Sequence, residues 1–372
     1  MRVLMVTNKV KTYALGFRNI IDPLIELGHD IIWAADFSKF IGDKSVIPCK
    51  TEQININTNP FNPTNISAYM QLLQIIDQYD IEAVQCSTPI GGALARMAAK
   101  KKKIRPVIYA AHGFLFFKGA PFINQTVYKW EEVLLAHYTD VLITITEEDY
   151  AAAQKLKLRS GIKPYLIHGA GVKVGVEVSV DRAEKRRSIG VPEDAFIIVS
   201  AGELNKNKNT EVIVKALKLT DNPNVHYLAC GVGPEKEKLQ KLADKLGVSD
   251  RFHLMGYRTD MSEIMAVSDV FVMMSFREGM PRALLEAMDL SLPCVGSDTR
   301  GIRDLIDKNG GYICKPDNQN EFADAFNKLL QSPQLRKEMG AYNKKKVGAY
   351  SDEIVRNELK EIYRETLKDN GE

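Results

Sequence analysis

Apolar residues come in two kinds of run along this chain. Short blocks, apolar at nearly every position, read as strands buried on both faces: "RVLMVTN" (2–8), "DIIWAA" (30–35), "AVQCS" (83–87), "PVIYAAH" (106–112) and "DVLITIT" (140–146). Between them lie longer segments whose apolar positions fall three or four apart. Phe17, Ile20, Ile21, Leu24 and Leu27 form one such helical stripe, which Gly28 stops. The alternation predicts parallel βαβ units, because parallel strands need helical crossovers between them.

A second series starts at "FIIVSAGE" (196–203) and continues through "VHYLACG" (225–231), "FHLMG" (252–256), "DVFVMM" (269–274) and "LPCVGS" (292–297). The restart follows a charged, strand-poor stretch, "VDRAEKRRSIGVPED" (180–194), which reads as a linker. The expected fold class is therefore α/β, with two Rossmann-like doubly wound domains over residues 1–175 and 176–351. The last segment, "SDEIVRNELKEIYRETL", sets Val355, Leu359, Ile362 and Thr366 on one face behind Ser351 as N-cap. It predicts an amphipathic helix in 352–372 that packs back on the first domain. Ligands of open parallel sheets collect at strand carboxyl ends, where helix amino termini and loop amides gather. Two such domains are expected to face one another across a cleft, so the residues after strands carry the candidate chemistry.

Composition narrows the classes. Over 372 residues the formal net charge is only +3, too small to argue for nucleic acid as a partner. Residues 1–170 hold 19 Lys and Arg against 15 Asp and Glu, a net +4. Five cysteines (Cys49, Cys86, Cys230, Cys294, Cys314) never form a Cys-x-x-Cys pair, which argues against a disulfide framework or zinc site and fits a reducing compartment. The opening "MRVLMVTNKV" reads as a strand rather than a signal peptide, and no run reaches the length of a membrane span. The first βα junction, "VTNKVKTYALGF", lacks Gly-x-Gly-x-x-Gly and so does not favour a dinucleotide oxidoreductase.

"SFREGMPRALLEAM" (275–288) places Glu278 in a loop at a strand end and Glu286 inside the helix that follows, with Pro281 suited to the first helical turn. A carboxylate accepts two hydroxyls at once, which suits a sugar or a ribose diol. The competing reading is a solvated face, since Arg282, Glu286 and Asp289 are spaced i, i+4, i+7. The surrounding "SDVFVMMSFREGMPRALLEAMDLSLPCVGSD", with "HGFLFFKGAP" (112–121), "YTDVLITITEEDY" (138–150) and "AGELNKNKN" (201–209), resembles the retaining GT-B glycosyltransferases of family four, most of all their capsular and exopolysaccharide branch. The resemblance runs in order through nearly the whole chain.

The resemblance implies a nucleotide-sugar donor, expected to be UDP-linked, and roles for named residues. Glu286 matches the family glutamate on the ribose hydroxyls, and Glu278 the one beside the donor sugar. Backbone N–H groups at Gly279 and Met280 would touch sugar or phosphate. Lys208 matches the lysine that neutralises the diphosphate, whose charge grows as the glycosidic bond breaks. Many members carry an arginine five residues before that lysine, where this chain has Glu203; Lys206, Arg258 and Arg18 are the candidates to supply the missing charge. His112, at the end of "PVIYAAH", matches a histidine facing the donor sugar. The implied mechanism is front-face displacement, with the departing phosphate taking the acceptor proton.

Weaker signals complete the set. Gly16 allows backbone approach to an anion at the first helix start. Tyr257 and Arg258 fall in the region that meets the nucleobase. Gly231 and Gly233, in "CGVGPEKEKL", read more simply as a tight turn. No Asp-x-Asp occurs, so no metal or other cofactor is expected. The lysines of "ARMAAKKKKIRP" (95–106) suit either a solvated helix terminus or anionic lipid, and "GFLFFKGAPFI" (113–123) is apolar for a loop. With the branch resemblance, these favour an undecaprenyl-diphosphate-linked saccharide as acceptor and a cytoplasmic location, peripheral to the inner face of the cell membrane. A nucleotide-sugar 2-epimerase of the same architecture is the alternative, though it wants several acid/base carboxylates and histidines in the cleft, and the chain has only six histidines. A non-catalytic nucleotide-sugar-binding partner subunit is the other.

Overall fold

The computed structural model describes residues 1–13, 15–220 and 222–368. The chain divides into two units, Met1–Gly171 together with the segment from Asp352, and Val172–Ser351. In the first, β1 (Arg2–Lys9), β2 (Asp30–Asp36), β3 (Lys50–Gln53), β4 (Ala83–Ser87), β5 (Val107–Ala111), β6 (Val141–Thr144) and β7 (Tyr165–Leu166) form one sheet in the order β3-β2-β1-β4-β5-β6-β7. All of its ladders are parallel. In the second, β8 (Phe196–Ala201), β9 (Val225–Cys230), β10 (Phe252–Gly256), β11 (Val270–Met273), β12 (Cys294–Ser297) and β13 (Gly311–Cys314) run parallel in the order β10-β9-β8-β11-β12-β13.

The apolar runs are two-sided because helices cover both faces of each sheet. Along β8, Ile198 enters one core with Val214, Tyr227, Val272 and Phe322, while Ile197 and Val199 enter the other with Phe271, Leu284 and Met288. Side chains that alternate across a strand demand apolar residues at every position once both faces are buried. Each such side chain, fully buried, contributes about 1.5–3 kcal/mol.

Strand order reverses direction once in each sheet. From β8 the chain moves outward through the helix Thr210–Leu217 to β9, whereas from β11 it moves the opposite way through the helix Arg282–Asp289 to β12. The carboxyl ends of β8 and β11 therefore diverge and leave a crevice between their loops, as those of β1 and β4 do in the first sheet.

Three expectations need correction. Residues 180–194 are no linker: Arg182–Ser188 is a helix of the second unit, capped by Asp181, whose side chain accepts from Glu184 N–H. Arg186 is buried there and donates to the carbonyls of Val267, Glu193 and Ala195, so its charge faces inward. The division falls at Gly171/Val172 rather than 175/176, because Gly175 and Val176 are hydrogen-bonded to Asp289 of the second unit. The final helix, Asp352–Thr366, belongs to the first unit and packs on the helix Leu15–Glu26, with Lys360 Nζ 2.6 Å from Glu26. Its buried stripe is Val355, Leu359, Ile362 and Tyr363, with Thr366 only half-buried.

Candidate functional site

The loop after β8 is built on three asparagines. Asn205 caps the short 3-10 turn Lys206–Lys208, its Oδ1 accepting from Lys208 N–H at 3.0 Å. Asn207 takes a hydrogen bond from Phe276 N–H on its carbonyl (2.8 Å) and donates Nδ2 to the Arg277 carbonyl (3.0 Å). Asn209 adopts a left-handed conformation (φ 54°) and donates to the carbonyls of Pro316 (2.6 Å) and Met274 (3.2 Å). Asparagine tolerates that backbone region and supplies the amide a carbonyl needs. The polar loop is thus a set of braces between the ends of β8 and β11.

Those braces hold Lys208 where its Nζ meets Glu278 Oε1 at 2.7 Å. Both side chains are largely covered, at 25% and 14% exposure, so the pair is screened less than one on open surface. Gly202 lies under the lysine stem: a Cβ there would stand 3.3 Å from Lys208 Cε. Gly231 and Gly233 are structural as well. A Cβ on Gly231 would fall 1.8 Å from the Gly202 carbonyl oxygen, and one on Gly233 would fall 2.3 Å from that of Leu204.

The Glu278 loop is supported from β12. Ser297 Oγ donates to the Ser275 carbonyl (2.6 Å), and the buried Arg300 donates Nε to the carbonyl of Glu278 itself (3.2 Å). Gly301, at φ 75°, lies so close to Gly279 that a Cβ would sit 1.5 Å from its carbonyl oxygen. Met280 packs on the core, and among the described residues the N–H groups of Gly279 and Met280 have no hydrogen-bond acceptor. Pro281 is the N-cap of Arg282–Asp289 rather than its first residue, and no side chain caps that helix. Sequence reasoning missed Arg300, Gly301, Asn207 and Asn209. The repeated asparagines of "NKNKN" were the available signal for two of them.

Glu286 and Asp289 part company on this helix. Asp289 is buried, accepting from the N–H groups of Gly175 (2.8 Å) and Val176 (3.0 Å). The solvated-face reading fails there. Solvent reaches Glu286, yet the protein around its carboxyl desolvates it and raises its pKa above the usual carboxylate value, opposed by the Arg282 charge. Among the described residues Glu286 forms no ion pair, with Arg282 or any other group.

The remaining candidates are dispersed. Glu203 is exposed and takes no part in the Lys208 contact. Tyr257 is exposed beyond the edge strand β10; Arg258 is held by Asp260 through Nε (2.8 Å), and Lys185 joins the same carboxylate at 2.6 Å. Arg258 is therefore already paired within its own unit, whereas Arg18, in the first unit, lies 3.8 Å from an Asp22 carboxylate that Arg356 also approaches. Lys206 is exposed in the same turn as Lys208. In the first unit His112 follows β5 directly, with an exposed side chain and Gly113 at φ 135° behind it. Gly16 is the second residue of its helix; a Cβ there would make ordinary contact with Ala170 at 3.7 Å, so nothing local demands glycine. Among the described residues no three His, Cys, Asp or Glu side chains are grouped to hold a metal.

Two doubly wound parallel sheets, the second with an ammonium–carboxylate pair at its switch point, define the GT-B glycosyltransferase architecture. The solved structure of Anabaena Alr3699/HepE in complex with UDP shares the fold at TM-score 0.81 and 16% identity, over 98% of this chain and 100% of that one. Residues 181–346 match the family described as Glycosyl transferases group 1, and residues 16–168 match Glycosyltransferase Family 4. EpsD of Bacillus subtilis (strain 168), named as a glycosyltransferase, is 38% identical over 78% of this chain and 78% of its own length. The UDP-Gal:alpha-D-GlcNAc-diphosphoundecaprenol alpha-1,3-galactosyltransferase of Escherichia coli is 27% identical over 73% of this chain and 70% of its own. The chain belongs to the group 1, or family 4, glycosyltransferases, and it is a glycosyltransferase.

Proposed function

We propose that the protein moves a sugar, with retained anomeric configuration, from a UDP-linked donor to a lipid-linked saccharide in the synthesis of a capsule, exopolysaccharide or O-antigen. The observation that carries this reading is the Lys208–Glu278 contact at the β8/β11 switch point. An ammonium there has two further N–H donors for a diphosphate, and the carboxylate has a second oxygen for a sugar hydroxyl. Glu286, desolvated and without an ion pair, suits a ribose diol. The E. coli relative supports a diphosphoundecaprenol-linked acceptor, and the HepE complex supports UDP.

In the proposed reaction the bond between the anomeric carbon and the phosphate oxygen breaks, and one to the acceptor oxygen forms on the same face. The acceptor proton passes to the departing phosphate. Lys208 stabilises the charge that gathers on the diphosphate, the kind of contribution worth most in a partly dry site. Glu278 orients the donor sugar, and the N–H groups of Gly279 and Met280 bind its hydroxyls or phosphate. No metal takes part.

The test is a panel of UDP-, GDP- and TDP-sugars with a synthetic undecaprenyl-diphosphate saccharide, with and without EDTA. The proposal expects one UDP-sugar to give a product of retained configuration at an EDTA-insensitive rate. Stabilisation by UDP-sugars without turnover on any acceptor would identify a binding subunit instead, and interconversion of the sugar without acceptor an epimerase.

A further inference from the structure

On the first unit, residues 122–136 are helical throughout, with a π-helical turn at Asn124–Tyr128 before the α-helix Lys129–Ala136. The segment is built inside out. Its inward face carries Glu132, whose carboxylate takes both guanidinium nitrogens of the buried Arg96 at 2.8 and 3.0 Å. Arg96 in turn lies 3.9 Å over the Tyr109 ring. Its outward face carries Ile123, Val127, Trp130 and Leu134, at a 4-3-4 spacing that keeps them in one stripe, with Phe122 alongside. All five are exposed, Phe122 at 83% and Trp130 at 72%. Rolling the helix to hide them would pull Glu132 away and leave the Arg96 charge buried and unpaired, the costly half of such a pair. The orientation is thus held by the ion pair, with Leu135 and Ala136 buried beside it, and a contiguous apolar stripe is left facing outward.

Lysines accompany the stripe in its middle and at its carboxyl-terminal end. Lys129 is exposed within it, beside Trp130. At its far end the helix Pro89–Lys102 finishes in Lys100, Lys101 and Lys102, with Lys103 following. Lys100 Nζ sits 4.0 Å over the ring of Tyr138, two residues past the stripe's helix. Lys101 and Lys103 are exposed, whereas Lys102 pairs with Asp77. Of the carboxylates on the segment, Glu132 is consumed by Arg96 and Glu131 is partly buried, its pKa raised by desolvation and by Glu132.

We propose that this face docks the protein on an anionic phospholipid bilayer. Trp130, Phe122 and the aliphatic side chains enter the boundary between headgroups and acyl chains, and Lys100, Lys101, Lys103 and Lys129 meet lipid phosphates. Aromatic and aliphatic residues flanked by lysine are the chemistry of an interfacial helix, and each lysine near such a surface strengthens binding about fivefold. The physiological purpose rests on the lipid-linked acceptor proposed above; the docking itself is tested without it.

The full chain is mixed with vesicles of phosphatidylcholine, alone or with phosphatidylglycerol at about one part in three. The chain has two tryptophans, and Trp33 is wholly buried, so a change in emission on docking reports Trp130. The expected result is sedimentation with the anionic vesicles only, with a blue shift. Trp130→Ser weakens binding about tenfold, as loss of one large buried apolar side chain should. Lys101→Gln with Lys103→Gln weakens it more at low salt than at high salt. Both variants keep the wild-type rate of UDP-sugar hydrolysis measured without vesicles, which separates failure of docking from failure of the transferase reading. A wild-type chain that stays in the supernatant with anionic vesicles, or Trp130→Ser protein that sediments like wild type, overturns the proposal. So does a wild-type dimer that ignores vesicles and is made monomeric by Trp130→Ser, since the stripe would then bind a second copy.

Discussion

The switch points of the two sheets share a topology and differ in chemistry. Between β1 and β4, the Asn8 side-chain oxygen accepts from Gly91 N–H (2.9 Å) and the Thr88 hydroxyl (2.8 Å). Between β8 and β11, Lys208 meets Glu278. The oxygen of the neutral amide is engaged in closing its own loop, and a Cβ on Gly91 would come within 2.6 Å of it. The charged pair keeps donors and an acceptor to spare. Topology makes a crevice in both places, but the residues at its lips decide whether it binds anything.

Substitutions at the two points should separate these roles. The largest effect is expected at the charged one. Glu278→Gln lowers the transfer rate by about 10²–10³, the scale of losing one well-placed electrostatic group in an active site. Steady-state kinetics measure it, and a rate within threefold of wild type would return Glu278 to a purely structural part. At the neutral point Asn8→Ala leaves the Gly91 N–H without its acceptor and costs about 1–3 kcal/mol of stability. Chemical denaturation should show that loss while calorimetry shows an unchanged UDP affinity.

The smallest effect concerns Glu286. Its raised pKa means protonation begins at a higher pH than for an ordinary glutamate, so donor affinity falls as pH drops through that value. Glu286→Gln lowers affinity at pH 7 and flattens the pH profile of binding. A carboxyl whose folded pKa is raised favours folding at low pH and loses that contribution as pH rises. The glutamine variant therefore keeps or gains thermal stability at pH 7. A fall in Tm with no change in affinity would contradict the assignment.

The sequence revealed the central strands because burial on both faces forces unbroken apolar runs, as in β4, β5 and β8. It hid β3, whose "KTEQ" is polar along its length, and the two-residue β7, because neither leaves an apolar run. The helix Arg182–Ser188 was obscured by its charge-rich sequence, which reads as a linker; Arg186 spends its guanidinium on buried carbonyls and on Asp269. Lys208 and Glu278 were legible through their motifs, 70 residues apart, and the structure brings them to 2.7 Å. Arg300 was not, because it acts on a backbone carbonyl 22 residues away, and such a contact leaves no pattern in side-chain types. Asp289 looked like part of a surface stripe because its partners, Gly175 and Val176, are more than a hundred residues distant.

The most direct measurement is calorimetric titration of UDP into the wild-type protein and into the Lys208→Met and Glu278→Gln variants. If the ammonium is shared between Glu278 and a diphosphate, Lys208→Met loses about tenfold or more in affinity, while Glu278→Gln, which releases the ammonium, binds UDP at least as tightly as wild type. UDP affinity untouched by Lys208→Met, or lost equally in both variants, would contradict a diphosphate site at the β8/β11 switch point.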